Sequence, residues 1–230
     1  MSQFEKQYVV DFYNQNAEHF SSTRYNSWPS VTKFVNNLKS NTSILDAGCG
    51  NGKNMTIRND LQWTGCDISS GLLTICKDKG FDNVLECDVR NLPFDNDTFD
   101  NLISIAVVHH ISDFQERVKA CQEFIRVVKP GGKIFIQVWQ NKFVSNNKFV
   151  PINGIGDDGE YFVTWSKNQK ICNLDHNNDP RKDKKNNVKK RYYHMFDDKE
   201  IDKLIDNLND IIVEKKFIEA NNWVVVLIKQ

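Results

Sequence analysis

Three aspartates stand where short apolar runs end. Ile44-Leu45-Asp46 closes the first run, Gly65-Cys66-Asp67 the second and Cys87-Asp88-Val89 the third. Beyond the first acid come Gly48, Gly50 and Gly52, two positions apart, with Asn51 among them. Glycine lets a chain turn sharply and approach a ligand where a side chain would collide. Dinucleotide sites use Gly-x-Gly-x-x-Gly to seat a pyrophosphate on a helix amino terminus. Here the third glycine follows the second by two positions, and a carboxylate precedes the loop. A pyrophosphate gains nothing from that carboxylate, whereas a cationic ligand with an amino group does. Asp67 is placed to accept both hydroxyls of a ribose, and Asp88 suits the exocyclic amine of an adenine. The pattern predicts a site for a positively charged nucleoside.

For these residues to converge, the runs must be neighbouring strands. Ser43 to Ala47, Gln62 to Cys66, Asn83 to Cys87, Phe99 to Ile105 and Lys133 to Trp139 have the length and apolar character of strands. Helical patterns over 70–78 and 113–128 alternate with them, the second stopped by Lys129-Pro130-Gly131-Gly132. This alternation predicts a parallel, doubly wound sheet with ligands at its carboxyl edge. A helix over 197–208 and strands Ile211 to Glu219 and Trp223 to Lys229 follow. Their short Ala220-Asn221-Asn222 connection predicts a hairpin, so one strand runs antiparallel. Phe4, Tyr8 and Phe12 mark a helix over 3–19, and Trp28-Pro29 opens another. These make a helical cap over 1–40 on what is expected to be a single domain spanning 1–230. Residues 140–190 break the rhythm and are expected as an insertion. Nine Lys or Arg face three Asp between Lys167 and Arg191.

Composition narrows the classes. Thirty basic residues balance thirty acidic ones among 230, which excludes a uniformly basic nucleic-acid coat but not a local patch. A 40% apolar share with 15 Phe can fill a core, so wholesale disorder is excluded. The six cysteines form no Cys-x-x-Cys pair and the five histidines add no zinc-ligand spacing, so no metal site is expected. Buried, reduced thiols suit a cytoplasmic or nuclear compartment. No cationic-then-apolar leader opens the chain, and the longest apolar run, Trp223 to Ile228, is too short to span a bilayer.

In order and type, the acids and glycines resemble the cofactor motifs of class I S-adenosylmethionine-dependent methyltransferases. That resemblance implies a Rossmann-like α/β sheet of seven strands, parallel but for one, with helices on both faces. It implies S-adenosylmethionine as cofactor, held by Asp46, Gly48, Gly50, Asn51 and Gly52 from the first loop. Asp67 and Ile68, Asp88 and Val89, and Ala106 complete the cofactor set. Three other segments carry a narrower resemblance: His19-Phe20-Ser21-Ser22-Thr23-Arg24-Tyr25 with Trp28-Pro29, Ser104-Ile105-Ala106-Val107-Val108-His109-His110, and Arg191-Tyr192-Tyr193-His194-Met195-Phe196. They look like the eukaryotic tRNA wobble-uridine carboxymethyl methyltransferase family, over residues 8–140 and 191–229. The family includes the yeast-type tRNA methyltransferase 9 and the methyltransferase domain of its animal AlkB-homologue relatives. Two departures stand out: Tyr161-Phe162-Val163-Thr164-Trp165 lacks a Val-Pro-Trp segment, and Asn222-Trp223 replaces paired tryptophans.

Membership implies methyl esterification of 5-carboxymethyluridine in a tRNA anticodon stem-loop. It also implies a small zinc-binding activator subunit added along the edge strand near 83–87. A carboxylate is already ionised at neutral pH, with an acid pKa of about 4, so the chemistry needs orientation and dryness more than a base. His109 and His110 follow the fourth strand, where the methyl group should sit; His110 is expected to orient the carboxylate or a uridine group. Arg24 is expected to pair with the methionyl carboxylate or the substrate, with Tyr25 beside it. Trp139 ends the fifth strand on the substrate side. Arg191, Tyr192 and His194 are expected to meet splayed anticodon bases, and Arg181, Lys182, Lys184, Lys185, Lys189 and Lys190 the phosphates. A quinone- or sterol-type methyltransferase would share the cofactor residues and have no use for the basic insert. A non-catalytic RNA-binding homologue would not need the three acids.

Overall fold

The computed structural model describes residues 1–24, 26–141, 149–152, 159–165 and 189–230. Among these described residues, ten strands form two sheets. β1 (Ser43–Ala47), β2 (Gln62–Asp67), β3 (Val84–Glu86), β4 (Phe99–Ile105) and β5 (Val128–Trp139) come first in the chain. β6 (Phe149–Pro151), β7 (Glu160–Trp165) and β8 (Lys189–His194) follow, and β9 (Ile211–Glu219) and β10 (Asn222–Lys229) close it. The large sheet has the order β3-β2-β1-β4-β5-β10-β9. Only β10 runs antiparallel, against both β5 and β9. This is the seven-stranded sheet the sequence predicts, with β3 at an edge. β1 pairs with β2 on one side and β4 on the other, so the connections diverge there and open a crevice beyond the strand ends.

Side-chain alternation along β1 explains why helices cover both faces. Ile44 packs with Val31 and Val35 of α2 (Pro29–Asn36), together with Ile103 and Phe135. Leu45 packs the opposite way, with Ala120 and Phe124 of α4 (Phe114–Val127) and Ile201 and Leu204 of α5 (Asp198–Asp206). Each large apolar side chain so buried contributes roughly 1.5–3 kcal/mol. α3 (Ser70–Asp78) starts at Ser69, whose hydroxyl accepts from the Leu72 N–H. α4 and α5 start at Asp113 and Asp197, each of which caps its helix in the same way.

The amino-terminal helix, α1 (residues 3–22), is not uniform. A π-helical turn fills Lys6–Val10, and Asn16 leaves helical geometry. The Asn16 side-chain amide donates to the Phe12 carbonyl at 2.6 Å, at the kink. The expected 1–40 cap therefore divides. Residues 3–22 pack on α3 and the small sheet, while α2 packs into the core of the large one.

Two expectations are corrected. The Lys129-Pro130-Gly131-Gly132 stretch is not a turn between helix and strand. Val128 already pairs with Phe99, and the next four residues bulge opposite Asp100 before Lys133 pairs with Asn101. A Cβ on Gly132 would lie 2.4 Å from the Asp100 carbonyl oxygen, so only glycine fits there. The insertion also carries regular structure: β6, β7 and β8 form an antiparallel sheet. Its period-two signal is disguised because Lys-Arg-Tyr-Tyr-His looks polar, yet Arg191 through His194 are all buried. α1 provides the cover, with Phe4 and Tyr8 on Phe162 and Phe12 on Trp165.

Candidate functional site

A cleft of about 610 Å³ opens at the carboxyl ends of β1, β2 and β4 and is roofed by α1 and β8. Its floor is the glycine loop. The Gly48 and Cys49 N–H groups both donate to the Cys66 carbonyl, at 2.7 and 2.9 Å, which locks the turn onto β2. Gly48 has φ +88°, and a Cβ there would sit 2.1 Å from Val107. Gly50, Asn51, Ile68, Val89 and Ala106 line the cleft with it. Gly52 does not line it; its φ of +75° and the 2.6 Å approach of Cys76 to its missing Cβ pack the loop against α3. Ala106 is held at φ +62°, uncommon for a residue with a Cβ, where β4 leaves the sheet.

The three acids differ. Asp67 lines the cleft and accepts from the Gly50 N–H at 2.8 Å and the Ser69 N–H at 2.9 Å. Each oxygen keeps a lone pair for a hydroxyl donor. Burial pushes its carboxyl up, and the amide donors work against that. Asp46 lies one side chain behind the wall. It is fully buried, receives a 3.4 Å bond from Asn54, which does line the cleft, and its Oδ1 has no partner among the described residues. Burial raises its carboxyl to about 7. Asp88 lines the cleft but is gripped by Arg90, whose Nε reaches both its oxygens at 2.9 and 3.0 Å. A buried acid with an unpartnered oxygen, beside two more acids, fits a cofactor bearing an amino group and a sulfonium. Arg24 lines the cleft beside them, over the Phe20 ring, and its guanidinium bonds only Thr23 among the described residues. Tyr25 lies outside the described residues.

Opposite this floor is an aromatic chamber. Tyr13 of α1, His110, Trp139 of β5, and Arg191 and Tyr193 of β8 all line the cleft. His110 Nδ1 is 2.8 Å from the Tyr192 carbonyl, so it carries the proton and donates. Nε2 is then the acceptor for the Tyr13 hydroxyl at 2.9 Å. Burial lowers His110 to about 3, so the ring is neutral with both nitrogens engaged. The Tyr13 oxygen in turn accepts from Arg191 Nη1 at 3.4 Å and lies 3.5 Å from the Tyr193 hydroxyl. Arg191 is 4% exposed, stacked among Phe12, Tyr13 and Tyr193, with no acid partner among the described residues and an unpartnered Nε.

Strand alternation separates the other sequence candidates. Arg191 and Tyr193 face the cleft, while Tyr192 and His194 point away from it. The Tyr192 hydroxyl binds Glu160, and His194 lies between Glu160 at 2.7 Å and Glu200 at 3.1 Å. His109 is fully buried behind His110 and Tyr193, its Nδ1 accepting from the Trp139 N–H at 3.3 Å. Of the basic cluster, Lys189 contacts Gln15 and Lys190 lies over Phe162. Arg181, Lys182, Lys184 and Lys185 lie outside the described residues. Sequence patterning missed Tyr13, one step off the Phe4–Tyr8–Phe12 stripe, and Tyr193, hidden within the Arg-Tyr-Tyr-His run. Among the described residues, no group of three or more His, Cys, Asp or Glu stands close enough to hold a metal, and no helix is long and apolar enough to cross a membrane.

Comparisons with known proteins agree with this geometry. Residues 45–136 match the family described as a methyltransferase domain. An Encephalitozoon cuniculi protein described as a putative methyltransferase is 36% identical, over 85% of this chain and 83% of its own length. A tRNA (carboxymethyluridine(34)-5-O)-methyltransferase of Arabidopsis thaliana is 50% identical over 60% of this chain and 34% of its own length. One of Xenopus tropicalis is 30% identical over 99% of this chain and 42% of its own. The chain thus spans less than half the length of these two relatives. An S-adenosylmethionine-dependent methyltransferase structure from Methanosarcina mazei superposes with TM-score 0.66 at 18% identity, over 89% of this chain and 98% of its own, which speaks to the fold alone.

Proposed function

Because this chain belongs to the S-adenosylmethionine-dependent methyltransferases, we propose that it esterifies the carboxylate of 5-carboxymethyluridine at the wobble position of a tRNA anticodon, forming 5-methoxycarbonylmethyluridine. The observation that carries this reading is Arg191. A buried guanidinium with no acid among the described residues is costly, by several kcal/mol, unless a ligand supplies the anion. A substrate carboxylate does so, and the guanidinium fork can hold it through paired hydrogen bonds. S-adenosylmethionine supplies a methyl group on a cationic sulfur. The chain's own residues hold the accepting oxygen and keep water out, with Trp139, Tyr13 and Tyr193 as apolar walls. His110 cannot take a proton from the substrate while both nitrogens are engaged, and an ionised carboxylate has none to give. We assign it to positioning: it fixes the Tyr13 hydroxyl, which fixes Arg191.

The names of the Arabidopsis and Xenopus relatives support the tRNA substrate. Lys189 and Lys190, at the mouth of β8, are suited to an anticodon phosphate. β3 lies at the sheet edge with Glu86 exposed and its outer backbone unpaired by any described strand. It is the edge on which a small zinc-binding activator subunit would add a strand. The five described cysteines are free, four of them buried, in keeping with a reducing, cytoplasmic setting.

The test supplies the protein, with the activator subunit, with tRNA carrying or lacking the carboxymethyl group. Mass spectrometry of the wobble nucleoside should show the methyl ester in the first case alone. Methyl transfer to unmodified uridine, or only to a small molecule, would overturn the assignment.

A further inference from the structure

Asp88 does not face the cleft on its own terms. Its Oδ1 accepts from both the backbone N–H and Nε of Arg90, at 3.0 and 2.9 Å, and its Oδ2 accepts from Arg90 Nη2 at 2.5 Å. Arg90 is aimed in turn by Glu5, a residue of the first turn of α1, across a 2.9 Å bond from Nη1. Glu5 is 4% exposed and Arg90 6%. The other Glu5 oxygen accepts from the Ser112 N–H and hydroxyl, at 2.8 and 2.9 Å. Four donors therefore converge on one buried carboxylate, since the Ser2 N–H also reaches Oε2 at 3.1 Å. Such a group holds its neighbours in one arrangement. Met1, Glu5, Asp88 and Arg90 all border the same end of the cleft.

We propose that Glu5, acting through Arg90, positions Asp88 toward the exocyclic amine of the cofactor's adenine, so that the start of α1 and the nucleoside bind cooperatively. It rests on the cofactor, not on the RNA substrate, so it stands or falls independently of the tRNA reading. The physical reason is the crowding of Asp88. Arg90 makes two contacts to each Asp88 oxygen, with Nε shared between them, so the placing of the fork decides how much acceptor capacity is left for the cleft. Releasing Arg90 from Glu5 lets the fork rotate and take up that capacity. Coupling of this kind is reciprocal: whatever the helix gives to nucleoside binding, the nucleoside returns to the helix.

Glu5→Gln is the informative variant, because glutamine still serves the capping box with Ser2 while removing the buried charge on Arg90 Nη1 and leaving the half-exposed Glu116, 3.7 Å away, and Asp88 as its ion-pair partners. Calorimetry would compare S-adenosylhomocysteine with S-inosylhomocysteine, whose oxo group replaces the amine. The variant should bind S-adenosylhomocysteine roughly tenfold more weakly and S-inosylhomocysteine within twofold of the original protein, about 1.4 kcal/mol of lost discrimination. Hydrogen exchange over residues 3–10 should be slowed by S-adenosylhomocysteine in the original protein and not in the variant. Equal weakening of both nucleosides, or no weakening of either, would overturn the proposal. Should Glu5→Gln fail to fold, Ser112→Ala removes one donor to Glu5 and keeps the charge. A fall of about threefold in the same ratio supports the relay, and an unchanged ratio counts against it.

Discussion

The floor of the cleft and its roof are assembled over very different distances along the chain. On the floor, the Gly50 N–H meets Asp67, 17 residues away, and the wall is made by the ends of β2, β1 and β4, neighbours in the sheet. In the roof, Tyr13 meets His110 across 97 residues and Arg191 across 178. The floor owes its shape to backbone geometry, with glycines at positive φ and amides aimed at carboxylates. The roof owes its shape to side chains, a cation among rings and a histidine with both nitrogens spent. A floor of this kind serves one cofactor in many enzymes, whereas a roof of this kind is free to specify a substrate.

If that division is real, substitutions in the roof spare the cofactor. The largest effect is expected at Arg191. Arg191→Gln keeps hydrogen-bonding capacity but loses the charge, and a hydrogen bond to a charged group is worth about 1.5–3 kcal/mol. kcat/KM for the modified tRNA should fall roughly 10–150-fold, with S-adenosylmethionine affinity by calorimetry unchanged. Weakened cofactor binding would break the division.

Next come Tyr13→Phe and His110→Asn. Each should reduce turnover about tenfold, and the double variant should be little worse than either, because both act through one hydroxyl. Additive losses would show His110 acting on the substrate independently. At saturating S-adenosylmethionine, His110 should add no pH dependence to turnover near neutrality in the original protein, since it remains neutral down to about 3.

This is also where the sequence stops being legible. Asp46, Asp67 and Asp88 could be placed because each sits at the end of its own apolar run, and the spacing of the glycines lies in the same few residues. The seven strands were readable for the same reason. β7 and β8 were not, because their inward residues are Arg191 and Tyr193 as much as Val163, and burial of those depends on α1 supplying Phe12 and Tyr13 from the far end of the chain. Tyr192 and His194 look like RNA contacts beside a basic run. Only strand pairing with β7 reveals that they turn toward Glu160 and Glu200.

A smaller effect sharpens the account of the floor. Asp46 is raised to about 7 by burial, so below that pH the cofactor-free protein holds a proton there. An arriving ammonium favours the carboxylate and expels it. Binding of S-adenosylmethionine should therefore tighten as pH rises from about 6 to 8, with proton release seen by calorimetry in buffers of different ionisation enthalpy. Asp46→Asn should abolish the release.

The smallest expected effect lies behind the roof. His194 is raised above its ordinary 6.5 because Glu160 and Glu200 outweigh its burial. The stability it contributes is fully present below about pH 6.5 and is lost as pH rises through the folded value. The melting-temperature advantage of the original protein over His194→Gln should shrink as pH rises above about 6.5. A constant difference would mean the histidine contributes by packing alone.

The claim on which the rest depends is that Arg191 grips a carboxylate. It is tested most directly by binding two anticodon stem-loops that differ only at the wobble base, one with 5-carboxymethyluridine and one with its neutral amide, 5-carbamoylmethyluridine. The original protein should prefer the acid by about tenfold or more, and Arg191→Gln should bind the two alike. Equal affinity of the original protein for acid and amide, or a preference that survives in Arg191→Gln, would contradict it.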